Sequence, residues 1–256
     1  VSVYLLLVVL ASLSDPGAVP STAIPAARAL ADASPEGLAS GIEIAKMLNP
    51  EKETLAGLDT VVRTMLQKML AADPNIAAME KDHPGFTTAG SEAIRSTTMT
   101  IMRERLPILW SRMGAAYARR LSVAELRQTL EFYQSAAGQR LVQATLKGID
   151  PSALVDKQIA EPDRKIEAGE LSATLSASAT KAAANATSED RTALSNFTFT
   201  PLGLKVRELN PEMLKIAADW SNERDTTAEK RIADATAAAM APFLNASDAH
   251  AKKAKR

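Results

Sequence analysis

The chain has 256 residues, 46% of them hydrophobic but only 4% aromatic, with 30 basic against 30 acidic side chains and no cysteine. The balanced charge removes any global electrostatic case for nucleic acid, anionic lipid or an acidic substrate, and the missing thiols exclude disulfide scaffolds, thiol nucleophiles and thiolate zinc sites. With so few rings, alanine and the aliphatics must supply the buried surface, which favours close-packed helices.

Residues 1–13 (VSVYLLLVVLASL) form an apolar stretch of signal-peptide length, too short to cross a ~30 Å hydrocarbon layer as a helix. It reads as an export signal, although the basic flank is missing and the first residue is Val; the start is either an alternative codon or lies upstream. Small residues suited to a peptidase follow at Gly17-Ala18, Ala27-Arg28-Ala29 and Ala31-Asp32-Ala33, among Pro16, Pro20 and Pro25, which point to an extended, processed segment. From Leu55 the apolar positions Leu58, Val62, Met65, Leu66, Met69 and Leu70 share one helical face, started after Pro50 and stopped at Asp73-Pro74. Residues 82–88 (DHPGFTT) read as a loop. A second run holds Ile94, Ile101, Met102, Leu106, Leu109, Met113, Ala116 and Tyr117 on one face, with Pro107 inside it, so it is either kinked or two helices.

After Leu121 a pattern recurs at an offset of 65 residues: Ser122, Glu125, Phe132, Ser135, Gly138, Arg140 and Leu141 return as Thr187, Asp190, Phe197, Thr200, Gly203, Lys205 and Val206. Ser122 with Glu125 has the form of a capping box, and Thr187 with Asp190 a weaker one because its carboxylate is shorter. Ser135 and Thr200 stand as N-caps of a following helix, with Pro201 at the first helical position. Each unit is thus a helix, a tight turn and another helix. Glycine inside the second helix, at Gly138 and Gly203, implies close backbone approach, and Phe132 and Phe197 are expected to wedge against the helix that carries it.

The stretch 121–141 (LSVAELRQTLEFYQSAAGQRL) resembles the bacterial domain of unknown function 2059 family, through Ser122, Glu125-Leu126, Phe132-Tyr133, Ser135 and Gly138-Gln139-Arg140. The second copy, 187–206, departs from that pattern where Leu126 becomes Arg191 and Tyr133 becomes Thr198, which makes it a degenerate repeat. The resemblance implies an exported, all-helical protein and supplies no activity, cofactor or catalytic residue.

Catalytic chemistry finds little material. There is no H-E-x-x-H and no calcium loop, and only two histidines are present, His83 in a turn composition and His250 near the end. Ser178 and Lys181 have the S-x-x-K spacing, but within an Ala/Ser/Thr-rich stretch and without the partner motifs. Carboxylate pairs at Glu51 and Glu53, Glu161 and Asp163, and Glu189 and Asp190 sit near helix starts, where they favour the dipole. Arg95, Arg103, Arg105, Arg112, Arg119, Arg120 and Arg127 thicken the centre against Glu92, Glu104 and Glu125; solvated faces with i,i+4 pairs account for them. The last run, 212–243, is apolar at both ends (Met213, Ile216, Trp220; Ile232, Met240, Phe243) and charged over 222–231. As one helix it would span roughly 48 Å, with its centre bridging solvent or broken.

The expectation is an all-α array with a duplicated helix-turn-helix corner: a signal peptide and leader at 1–30, a helical domain at 31–243 with units around 121–147 and 187–210, and a basic disordered tail at 244–256. Its role is that of a periplasmic or secreted, non-catalytic interaction or envelope module, without cofactor or nucleic acid, meeting a protein partner or itself. Membranes would be touched only through an uncleaved leader or the basic tail. The rivals are an apolar-ligand carrier lined by some of the nine methionines and a hydrolase using Ser178 or carboxylates.

Overall fold

Helix starts follow the caps that the sequence supplies. In the computed structural model, which describes residues 34–161 and 163–254 and side chains as far as residue 244, Ser34 Oγ accepts from Gly37 N at 3.1 Å and opens α1 (Pro35–Leu48) with proline in its first turn. The leader at 1–30 lies outside the described residues. After Pro50, α2 (Glu51–Ala72) carries two acids in its first turn, and Asp73 ends it while capping α3 (Pro74–Asp82) through Asn75 N.

The loop expected over 82–88 shrinks to three residues, because α4 (Phe86–Arg120) already begins at Phe86. Glu80 explains the tight junction: its carboxylate accepts from Gly85 N and Thr87 N, both at 2.8 Å, and from the Thr87 hydroxyl at 2.7 Å. Those bonds hold the Glu80 carboxyl below the usual carboxylate range. Pro107 lies inside α4 without ending it. Leu106, Leu109 and Met113 are buried in one core on both sides of the proline, so packing outweighs the lost ladder bond.

The rest of the chain is α5 (Val123–Gln134), α6 (Ala136–Gly148), α7 (Ser152–Ala160), α8 (Ala168–Ala184), α9 (Ser188–Thr198), α10 (Pro201–Glu208), α11 (Asn210–Ser221) and α12 (Thr226–Ala254), with no strand among the described residues. The run expected over 212–243 breaks between α11 and α12. Asn222 fixes the break, its side chain accepting from Ile166 N at 2.9 Å and donating to Ile166 O at 3.0 Å. Where a basic disordered tail was expected at 244–256, α12 runs on as far as Ala254 through alanine and lysine, both good helix formers.

Helix α4 is the spine. Along it α1 crosses so closely that a Cβ at Gly41 would stand 2.3 Å from Gly114 O, and one at Gly114 would stand 2.7 Å from Ile42 N. The main core joins Ile44, Leu58, Met102, Leu106, Leu109, Leu126, Leu171, Leu209 and Trp220, drawn from α1, α2, α4, α5, α8, the α10–α11 junction and α11. A smaller cluster of Ile101, Ala228 and Ile232, flanked by Ile94, seats α12 on α4. Among the described residues no helix is long and apolar enough to cross a membrane.

Candidate functional site

The first corner joins α5 to α6 through Ser135 alone. Ser122 Oγ accepts from Glu125 N at 3.3 Å while Glu125 Oε2 accepts from Ser122 N at 2.8 Å, a complete capping box. At the turn, Ser135 Oγ accepts from Gly138 N at 3.0 Å and donates to Phe132 O at 2.7 Å. The second corner repeats the hydroxyl contacts. Thr187 Oγ1 accepts from Asp190 N at 3.1 Å; Thr200 Oγ1 accepts from Gly203 N at 3.0 Å and donates to Phe197 O at 2.7 Å.

The glycines are required by backbone. A Cβ on Gly138 would lie 2.1 Å from Phe132 O, and one on Gly203 would lie 2.1 Å from Phe197 O. The expectation that each phenylalanine ring wedges against its own glycine-bearing helix is therefore corrected. The carbonyl makes that contact, and the ring goes elsewhere: Phe132 and Phe197 stack on each other, centroids 4.1 Å apart and planes 4° from parallel, with Tyr133 edge-on to Phe132. Burial pushes the Tyr133 phenol up to about 12.

The charges are exchanged in the same way. Arg140 of the first corner grips Asp190 of the second, Nε and Nη2 standing 3.0 and 2.6 Å from Oδ1, and Lys205 of the second reaches Glu125 of the first at 2.8 Å. Reciprocal contacts of this kind define an isologous, two-fold arrangement, here formed within one chain. The Lys205 ammonium, followed by the Ser122 amide, holds the Glu125 carboxyl down at about 2. The Arg140 guanidinium holds Asp190 below the ordinary aspartate range.

All eleven motif residues thus fall into one paired structure: Ser122, Glu125, Phe132, Tyr133, Ser135, Gly138, Thr187, Asp190, Phe197, Thr200 and Gly203 cap, stack or bridge the two corners. The pairing between copies was missed from the sequence, although its sign was present in a base and an acid at matching positions of each copy.

The two corners differ on their outer faces. Phe199 is 76% exposed and Leu204 37% exposed. A shallow pocket lies between the corners, lined by Glu125 and Gln128 of the first and by Phe197, Thr200, Pro201 and Leu202 of the second. At the positions equivalent to Phe199 and Leu204 the first corner carries Gln134 and Gln139, and Gln139 Nε2 donates to Gln134 O at 3.1 Å.

The other sequence candidates disperse. Ser178 is 2% exposed and its hydroxyl donates to Thr145 O, where α8 packs on α6; Lys181 is exposed. The expected i,i+4 account of the central arginines is corrected for most of them, because they reach other elements: Arg103 to Glu51, Arg119 to Glu212, Arg127 to Glu36, Arg112 to Glu223 in the α11–α12 connection, and Arg95 to Asp59 as well as to Glu92 on its own helix. A clamp between elements needs both already side by side, which a local sequence window does not contain. Met65, Met102, Met113 and Met213 pack in the main core. Among the described residues no group of three or more His, Asp or Glu is placed to hold a metal ion.

No curated protein and no solved structure matches the chain. Residues 110–155, spanning the end of α4, the whole first corner and the start of α7, match the family described as "Uncharacterized protein conserved in bacteria (DUF2059)".

Proposed function

We propose that the chain is a non-catalytic protein-interaction module of the bacterial cell envelope, docking a protein partner on the outer face of the second corner. The observation that carries this reading is the 76% exposed Phe199 with the partly exposed Leu204 five positions on, set against glutamines at the equivalent places in the first corner. Exposed aromatic and aliphatic side chains are the anchors by which protein interfaces form. A non-catalytic role is supported by the commitment of Ser178, Glu125 and Asp190 to packing and pairing. The apolar stretch at 1–13 supports export to the periplasm or beyond.

The two corners provide an internal control. A photo-crosslinking phenylalanine analogue is placed at 199 or at 134 in the full chain, expressed in its own bacterium, and adducts are identified in envelope fractions by mass spectrometry. One recurring protein adduct at 199, missing at 134, supports the module. An adduct with the chain itself assigns the face to self-association. Equal or no adducts at the two positions remove this reading.

A further inference from the structure

Away from the corners, α4 buries an arginine against α11. Arg105 is 8% exposed, its guanidinium centre lies 5.2 Å from the centre of the Trp220 ring, and Nη2 donates to Trp220 O at a long 3.4 Å. Its Nη1 is buried and makes no hydrogen bond within the protein. Two turns further along the same face of α4, Arg112 gives Nη1 to Glu223 while its buried Nε has no partner, and the indole N–H of the fully buried Trp220 has none either. Donors therefore exceed acceptors at this place.

Two acids face the arginines. Glu223 is 3.8 Å from Arg105 Nη2 and 39% exposed, and it is shared with Arg112. Asp225 acts at longer range, with one oxygen taken by Ala228 N at 2.9 Å as the cap of α12. A buried guanidinium with one long hydrogen bond is expensive, and a well-packed apolar residue in its place is commonly neutral or stabilising. Burial accordingly pulls the Arg105 guanidinium below its ordinary value, against the pull of both acids. The Trp220 ring, the Trp220 carbonyl and Glu223 engage this side chain and leave its Nη1 unmatched.

We propose that Arg105, Arg112 and Trp220 form a binding site for a small free oxyanion, which enters past the half-exposed Glu223 and accepts from Arg105 Nη1 and Arg112 Nε. A phosphate or carboxylate group supplies the acceptor oxygens that the cluster lacks, and guanidinium forks suit both. This site is independent of the corner face, and its failure would leave that reading untouched.

The test uses the full chain with sodium phosphate, sodium acetate and, at matched ionic strength, sodium chloride. Trp220 and Trp110 are the only indoles, so their N–H signals in proton–nitrogen spectra serve as probe and internal control. The expected result is a saturable shift of the Trp220 signal in phosphate or acetate and not in chloride, with the Trp110 signal still. It is accompanied by a rise in Tm of roughly 2–6 °C. Arg105→Met is expected to abolish both responses and to melt at or above the wild-type temperature. The proposal is overturned if the Trp220 signal stays fixed or moves with that of Trp110, or if Arg105→Met keeps the response. Should Arg105→Met fail to fold, the wild-type titration decides.

Discussion

Replacing Gly138 by alanine adds one carbon 2.1 Å from Phe132 O, about 1 Å closer than side-chain carbons approach an oxygen. Neither side yields cheaply, because that carbonyl accepts from the Ser135 hydroxyl and amide while the same hydroxyl accepts from Gly138 N. Moving the α5 end aside gives up two hydrogen bonds at ~1 kcal/mol each and adds overpacking of ~1–3 kcal/mol. Relief of helical glycine returns ~1 kcal/mol. The expected net loss is ~2–4 kcal/mol, a fall in Tm of roughly 4–16 °C for a domain of this size. Gly203→Ala, with the same 2.1 Å approach, is expected to lose a similar amount. Gly169→Ala, whose added carbon meets nothing within 4 Å in the exposed first turn of α8, is expected to gain ~0.4–1 kcal/mol. Urea titration followed by far-ultraviolet circular dichroism measures all three, and a Gly138→Ala loss below ~0.5 kcal/mol would refute the close-approach reasoning.

Three further outcomes follow from the paired corners and from α8. Phe132→Ala and Phe197→Ala, both half-buried, are each expected to cost ~2–3 kcal/mol. The double mutant should reveal a coupling of ~0.5–1.5 kcal/mol; additive losses would mean that the stack contributes nothing of its own. Glu125 has its carboxyl lowered from 4.5 to about 2 in the folded chain, so its stabilisation is present above the unfolded value and fades as pH falls from about 4.5 to about 2. Lys205→Met should flatten that acid limb of the stability profile, and an unchanged slope would remove Lys205 as the cause. A serine-directed fluorophosphonate is expected to leave Ser178 unlabelled in the native chain, since its hydroxyl is buried and bonded to Thr145 O. Labelling there, read by peptide mass spectrometry, would restore a nucleophilic role.

Local chemistry was legible in the sequence wherever a few neighbouring residues decide the outcome. Ser122 and Glu125, three residues apart, imply the capping box, and Thr200-Pro201 implies a helix start, because caps form within one turn. The expected loop at 82–88 fails for a reason just beyond that range: Glu80 reaches forward five and seven residues to close the junction. Contacts between copies are farther still. Arg140 meets Asp190 across 50 residues and Lys205 meets Glu125 across 80, and no periodicity reports such distances. The direction of the phenylalanine rings was misjudged on the same ground, since a face that looks free in one copy is filled by the other.

The exchange between corners also sets an order of events in folding. Phe132 leaves the ribosome 65 residues ahead of Phe197, a wait of roughly 3–13 s at ~5–20 residues per second. During that time its ring lacks its cover and Glu125 lacks its ammonium. The nascent first half is an unfinished surface that only the second half of the same chain can complete, and any agent that shields apolar surface on emerging chains has its target there.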